Sequence, residues 1–185
     1  MMKTKRKPFV QHLAHDVEDS DKAWEFLDES LPSIGYIVMS FNGLEKQLDS
    51  MLCQTFSDRS DATGLIVLQN IQYSAKVNLF SRFCDDFHAM AGTVPKSYEK
   101  LMSLLRDAAK KRNTVVHADW ESIGEDGYVY STFRISDEGM EQEYVQLTSG
   151  TLELIINMIL DARKQLDEYW ADREHLLAYH SLPPR

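Results

Sequence analysis

The chain has 185 residues, 43% hydrophobic and 26% charged, with a formal net charge of −9. That is the composition of a globular chain with a core of its own, and the acidic balance argues against a broad nucleic-acid-binding surface, which shows as a basic domain. No apolar run approaches the roughly 18 residues of a membrane span, and Lys3, Lys5, Arg6 and Lys7 are not followed by a signal-peptide apolar region, so a cytoplasmic protein with no membrane partner is expected.

In chain order, residues 1–15 read as a flexible basic tail and 16–182 as a single domain. Ser20 is placed to cap a short helix over 21–30 carrying Trp24 and Leu27. Leu31-Pro32 ends it, and Pro32 suits the first turn of a long helix running to about Phe56. Ile34, Ile37, Phe41, Leu44, Leu48 and Met51 repeat at helical spacing along it, and Gly43 marks a close approach of another helix. A polar loop over 57–64 leads to a second long helix, about 65–90, with two apolar stripes. One is Leu68, Ile71, Ala75, Leu79, Phe83 and Phe87; the other is Ile66, Tyr73, Val77, Phe80 and Cys84. A helix apolar on nearly all sides has to be covered twice, by its own bundle and by a second copy. Cys53 and Cys84 lie in these helices without CxxC spacing, and read as reduced core residues rather than a disulfide or a zinc site.

Residues 92–95 stop that helix, and a third follows with Tyr98, Leu101, Leu105, Ala108 and Val115 on one stripe. Arg112 completes the same series, so a guanidinium stands where the pattern asks for an apolar side chain. Asn113 and His117 are four residues apart, one turn on the same face, beside it. After His117 the period changes. Residues 120–123, 128–136 and 143–147 have strand composition, and Val129, Ser131, Phe133 and Ile135 are expected to share one face. Thr148 then caps a final helix to about His180, with Leu152, Ile155, Ile159, Ala162, Leu166, Tyr169, Arg173 and Leu176 on one side, and Pro183-Pro184 ends the chain. The expected fold is all-α in the main: an antiparallel four-helix bundle with a short leading helix, and a small antiparallel β-hairpin or meander inserted at about 119–147.

Arg112-Asn113-x-x-x-His117, near the end of the third long helix, resembles the Arg-x(4–6)-His motif of HEPN domains. Requiring Asn after the Arg lowers chance occurrence of such a motif to roughly one chain in a hundred of this length. The long helix with Gly43-Leu44-Glu45 and the last helix opening Leu147-Thr148-Ser149-Gly150 are similar to the family in order of elements. The strand insertion departs from its minimal bundle. The resemblance implies a metal-independent endoribonuclease of the toxin–antitoxin or phage-defence kind, without a cofactor. Its partners would be RNA, tRNA included, a second copy of itself, and an antitoxin or other partner protein. It also implies a site shared across a homodimer. One subfamily carries a Tyr two residues after the His, where a nucleotide is attached; here that position is Asp119, so that form of regulation is not expected.

The residue types fit the chemistry. RNA cleavage without a metal needs a base for the 2′-hydroxyl proton and an acid for the leaving oxygen, and histidine as a residue type serves both near neutral pH. An arginine offers a planar fork of donors to phosphoryl oxygens as charge builds. The catalytic candidates are therefore Arg112, His117 and Asn113, with Lys110, Lys111 and Asp119 as substrate-binding candidates and no metal ligands. On an ideal helix Arg112 and His117 point about 140° apart, so a two-fold pairing of motifs is needed to gather them. The plainer reading makes Arg112 a salt-bridged structural residue, His117 a helix cap, and Lys110 and Lys111 complements of the helix dipole. It corresponds to a catalytically inactive HEPN-like module that binds RNA or a partner protein. A di-metal carboxylate centre from Asp85-x-x-His88, Asp172-x-x-His175, Glu99 and Glu45 is disfavoured, because Glu45 lies roughly 10–15 Å along its helix from the others' end. Glu45 itself reads as an ordinary residue flanking the apolar face, and His12, His15 and His180 as solvated histidines.

Overall fold

A computed structural model describes residues 2–10, 20–57, 60–123, 127–137 and 139–180, with the backbone alone at 20, 121–123 and 174–180. The chain is mainly α, with a small antiparallel sheet. In order it runs β1 (Thr4–Pro8), α1 (Ser20–Phe56), α2 (Ala62–Leu68), α3 (Tyr73–Ala91), α4 (Tyr98–His117), β2 (Asp119–Ile123), β3 (Tyr128–Ser136), β4 (Gly139–Gln146) and α5 (Ser149–His180). None of the described helices is long and apolar enough to cross a membrane. Two compact units emerge: Met1–Met39 with Lys110–Asn157, and Ser40–Ala109 with Met158–Arg185.

The first unit holds the sheet, in the order β1-β4-β3-β2 with every pair antiparallel. Residues 4–8, expected within a flexible tail, are instead its edge strand, paired from Thr4↔Val145 to Pro8↔Glu141. The pairing is held by side chains as well as backbone: Arg6 Nε donates to Glu143 at 3.2 Å, and Phe9 meets Phe133 edge-on at 5.1 Å. The rest of the expected tail, 11–19 with His12 and His15, lies outside the described residues, as does the chain end with Pro183-Pro184.

A bulge between Tyr130 and Thr132 corrects the expected face of β3. Ser131 is the extra residue, and its hydroxyl donates to the Glu143 carbonyl at 3.0 Å. One inserted residue shifts the two-residue alternation, so Val129, opposite Val145, and Phe133, opposite Gln142, face opposite sides of the sheet.

In the same unit, α1 is continuous through Pro32, so the expected break between a short leading helix and the next is absent. Proline costs an interior helix one hydrogen bond and frees the carbonyl four residues back. Here both Pro32 and Asp28 are exposed, at the surface where losing that one bond costs least. At the start of α5, the Thr151 backbone N–H donates to Thr148 Oγ1 at 3.3 Å, the N-cap bond expected of that threonine.

The second unit is helical. The expected helix over 65–90 is two, α2 and α3, because Gln72 adopts an extended backbone with ψ 149 and starts α3 afresh. Gly64 explains how α2 sits: a Cβ there would lie 2.8 Å from the Cys53 Cα, so only glycine allows α2 this close to α1. Gly43 also meets a neighbour, the Arg163 guanidinium, 3.0 Å from where its Cβ would be. Gly92, at φ 66, ends α3 in the left-handed cap that the stop at 92–95 anticipates.

The break redistributes the two stripes. Val77, Phe80 and Cys84, taken as a surface awaiting a second copy, are at most 2% exposed within their own chain. Of the large apolar side chains over 65–90, those left exposed are Leu65, Ile66 and Val67 on α2 and Met90 near the end of α3. Cys53 and Cys84 are both buried and free, and burial pushes the Cys84 thiol up to about 11.

Two polar clusters sit in this helical core. The Lys76 ammonium, with a side chain 7% exposed, pairs with Glu45 at 2.8 Å and Asp49 at 2.9 Å. Burial alone lowers its pKa, but hydrogen bonds to the two carboxylates outweigh that and raise it. The second cluster is aromatic. His88 Nε2 shares a 2.9 Å hydrogen bond with the Tyr169 hydroxyl, its ring meets Tyr98 edge-on at 4.6 Å, and Tyr98 donates to Asp85 at 2.9 Å.

Candidate functional site

The helix that carries the motif is built as its spacing dictates. Tyr98, Leu101, Leu105, Ala108 and Val115 are all 5% exposed or less. Arg112, in the same series, is half-buried, and the Nε of its guanidinium is itself buried. Its Nη1 donates to Asn113 Oδ1 at 3.0 Å. The Asn113 amide oxygen thus fixes one edge of the guanidinium fork.

Lys110, Asn113 and His117 are exposed, and the three- and four-residue steps between them place all three on one face of α4. Thr114, between them, donates its hydroxyl to the Lys110 carbonyl at 3.0 Å. Lys111 is half-buried on the flank. The structure therefore brings Arg112 and Asn113 into contact and sets Asn113 and His117 one turn apart. It does not bring Arg112 and His117 together, since five residues of helix separate their directions by about 140°.

The helix end is fixed from outside the motif. The Trp120 indole N–H donates to the Val115 carbonyl at 2.9 Å, satisfying one of the last four carbonyls of α4. Its ring stacks on Phe26 of α1, with centroids 6.1 Å apart. Trp120 thereby sets where β2 leaves the helix, and the strand begins with Asp119, two residues beyond His117. Asp119 is half-buried and pairs in register with Tyr130, so it belongs to the sheet rather than to the helix face.

The residues of the di-metal reading are engaged otherwise. Glu45 holds Lys76, so it is an ion-pair partner rather than a plain flank residue, and His88 faces Tyr169 and Tyr98. The side chains of His175 and His180 lie outside the described residues. Among the described residues no group of three or more His, Cys, Asp or Glu side chains is placed to hold a metal ion. A cavity of about 470 Å³ opens by the β3–β4 turn, lined by Arg6, Arg134, Ser136, Asp137 and Glu141 among others, with both charge signs and no imidazole or thiol.

Two features escaped the sequence reading. Lys76 stands three residues after Tyr73 and four before Phe80, a charge inside an apolar series, which is the signal that singled out Arg112. The basic strand β1 carried no such mark, because its partner β4 is remote in sequence. Compared with protein-family models, curated proteins and solved structures, the chain matches none.

Proposed function

We propose that this protein is a metal-independent endoribonuclease of the HEPN kind, acting on single-stranded RNA as a toxin or phage-defence effector. The observation that carries the reading is the arrangement at the end of α4: a guanidinium held by Asn113 at 3.0 Å, beside an exposed Asn113–His117 face on a helix whose other side is core. His117 takes the proton from a ribose 2′-hydroxyl and returns one to the leaving 5′-oxygen. Arg112 bonds the phosphoryl oxygens as they gain charge, and Asn113 keeps its fork oriented. Lys110, on the same exposed face, attracts the RNA backbone, with Lys111 on its flank.

The finer fold in this reading is a four-helix bundle formed by the long helices, with the sheet as an insertion. Because Arg112 and His117 diverge on one helix, a complete site is shared by two copies related by a two-fold axis. The test is to map products made in the presence of EDTA. They carry 2′,3′-cyclic phosphate and 5′-hydroxyl ends, and other ends contradict the mechanism. Mixing inactive Arg112→Ala and His117→Ala proteins restores cleavage if the site is shared, and an inactive mixture contradicts the sharing. RNA binding without cleavage by the wild-type protein favours the second reading, an inactive module that holds RNA.

A further inference from the structure

The sheet carries a pattern that the motif does not account for. Lys3, Lys5, Arg6 and Lys7 fall within five residues of a chain whose net charge is −9. Register sorts these cations. Arg6, opposite Glu143, is committed to that carboxylate on one face of the sheet. Lys5 faces Tyr144, Tyr144 faces Tyr130, and Tyr130 faces Asp119, so these four form one row across all four strands on the other face. At about 4.8 Å per strand the row is about 14 Å long. It starts two residues beyond His117.

Rings and ammonium groups alternate along that face. Lys5 Nζ lies 5.9 Å from the centroid of Tyr128, and Lys7 Nζ 5.5 Å from that of Tyr144. Tyr144 is 4% exposed and forms the floor, meeting Tyr130 edge-on at 5.9 Å. Tyr128, Tyr130 and Lys7 are half-buried, and Lys5 is exposed. Lysines and Pro8 also protect an edge strand from pairing with another chain. Edge protection accounts for charge on β1, but not for tyrosines under the charges or for a row that begins at the motif.

We infer that this sheet face is a binding platform for single-stranded RNA, with Lys5 and Lys7 on phosphates and the Tyr128 and Tyr130 rings against bases. Positive charge interleaved with aromatic rings is the combination that holds single strands without reading sequence. The row leads the strand to His117, and this direction rests on the ribonuclease reading; the binding itself does not.

The test is fluorescence anisotropy with a fluorescein-labelled single-stranded RNA, using His117→Ala protein as the parent so that no RNA is cut. Lys5→Glu combined with Lys7→Glu weakens binding at least ~10-fold and lowers the slope of log affinity against log salt by about 1.4, two phosphates at ~0.7 each. Lys5→Glu alone, at an exposed position, shows about half the slope change and guards against misfolding of the double variant. Tyr130→Ala weakens binding about 10-fold, whereas Tyr130→Phe, which keeps the ring, retains it. Lys164→Glu, in the other unit, is the control for overall charge. Unchanged affinity and slope in the sheet variants overturn the platform, as does an equal loss from Lys164→Glu or no RNA binding by folded parent. Binding that maps to the sheet in a protein that never cleaves RNA in EDTA overturns the ribonuclease reading alone.

Discussion

The Arg112 guanidinium donates to the side-chain oxygen of its own neighbour, Asn113, at 3.0 Å. Adjacent helical residues point about 100° apart, so this bond draws the long arginine toward the face that carries His117. In the proposed mechanism Asn113 is then a positioning residue for the phosphate clamp. Asn113→Ala is expected to slow cleavage about 10-fold with little change in thermal stability, because Asn113 is exposed. Asn113→Asp keeps an acceptor for Arg112 but sets a negative charge beside the phosphate, so its defect appears in KM. Steady-state kinetics on a labelled RNA separates the two.

The buried ammonium in the helical unit gives a stability prediction. Lys76 pairs with both Glu45 and Asp49 from a side chain only 7% exposed. Lys76→Ala leaves two carboxylates facing one another without their cation, and costs about 3 kcal/mol in urea unfolding. Replacing all three by apolar residues of similar volume recovers most of that loss. A triple variant as unstable as Lys76→Ala contradicts this assignment.

His88 makes the same unit sensitive to acid. Burial lowers its pKa from the usual 6.5, with nearby Asp85 opposing the shift. A histidine buried neutral binds fewer protons in the folded state than in the unfolded one. Its contribution is therefore fully present above about pH 6.5 and is lost as pH falls from there through the lower folded value. The urea midpoint should fall between pH 7.5 and 5.5, and His88→Gln should flatten that dependence while lowering stability at pH 7.5. An unchanged pH dependence in His88→Gln contradicts the linkage.

Helix α4, the start of α5 and the meander were legible because local spacing and capping set them, as Val115 and Thr148 illustrate. What could not be read depends on remote partners or on which side faces water. Pro32 looks like a boundary until its carbonyl partner Asp28 is known to be exposed. The break at Gln72 is hidden because Ile71 and Ala75 keep helical spacing across it. Ser131 reads as one more strand residue, yet its bulge sends Val129 and Phe133 to opposite faces. At the site, the types Arg112, Asn113 and His117 were evident in sequence. Their division into a half-buried guanidinium and an exposed amide and imidazole needed the fold. The role of β1 was out of reach because strand pairing with β4 is non-local.

The central claim is that His117 carries the proton in RNA cleavage, and single-turnover cleavage of a single-stranded RNA in EDTA tests it most directly. Wild-type protein should cut, and His117→Ala should cut at least ~10²-fold more slowly. Because His117 is exposed, circular dichroism and thermal midpoint should not change. Equal rates for wild type and His117→Ala, or cleavage by the wild type that EDTA abolishes, would contradict the account.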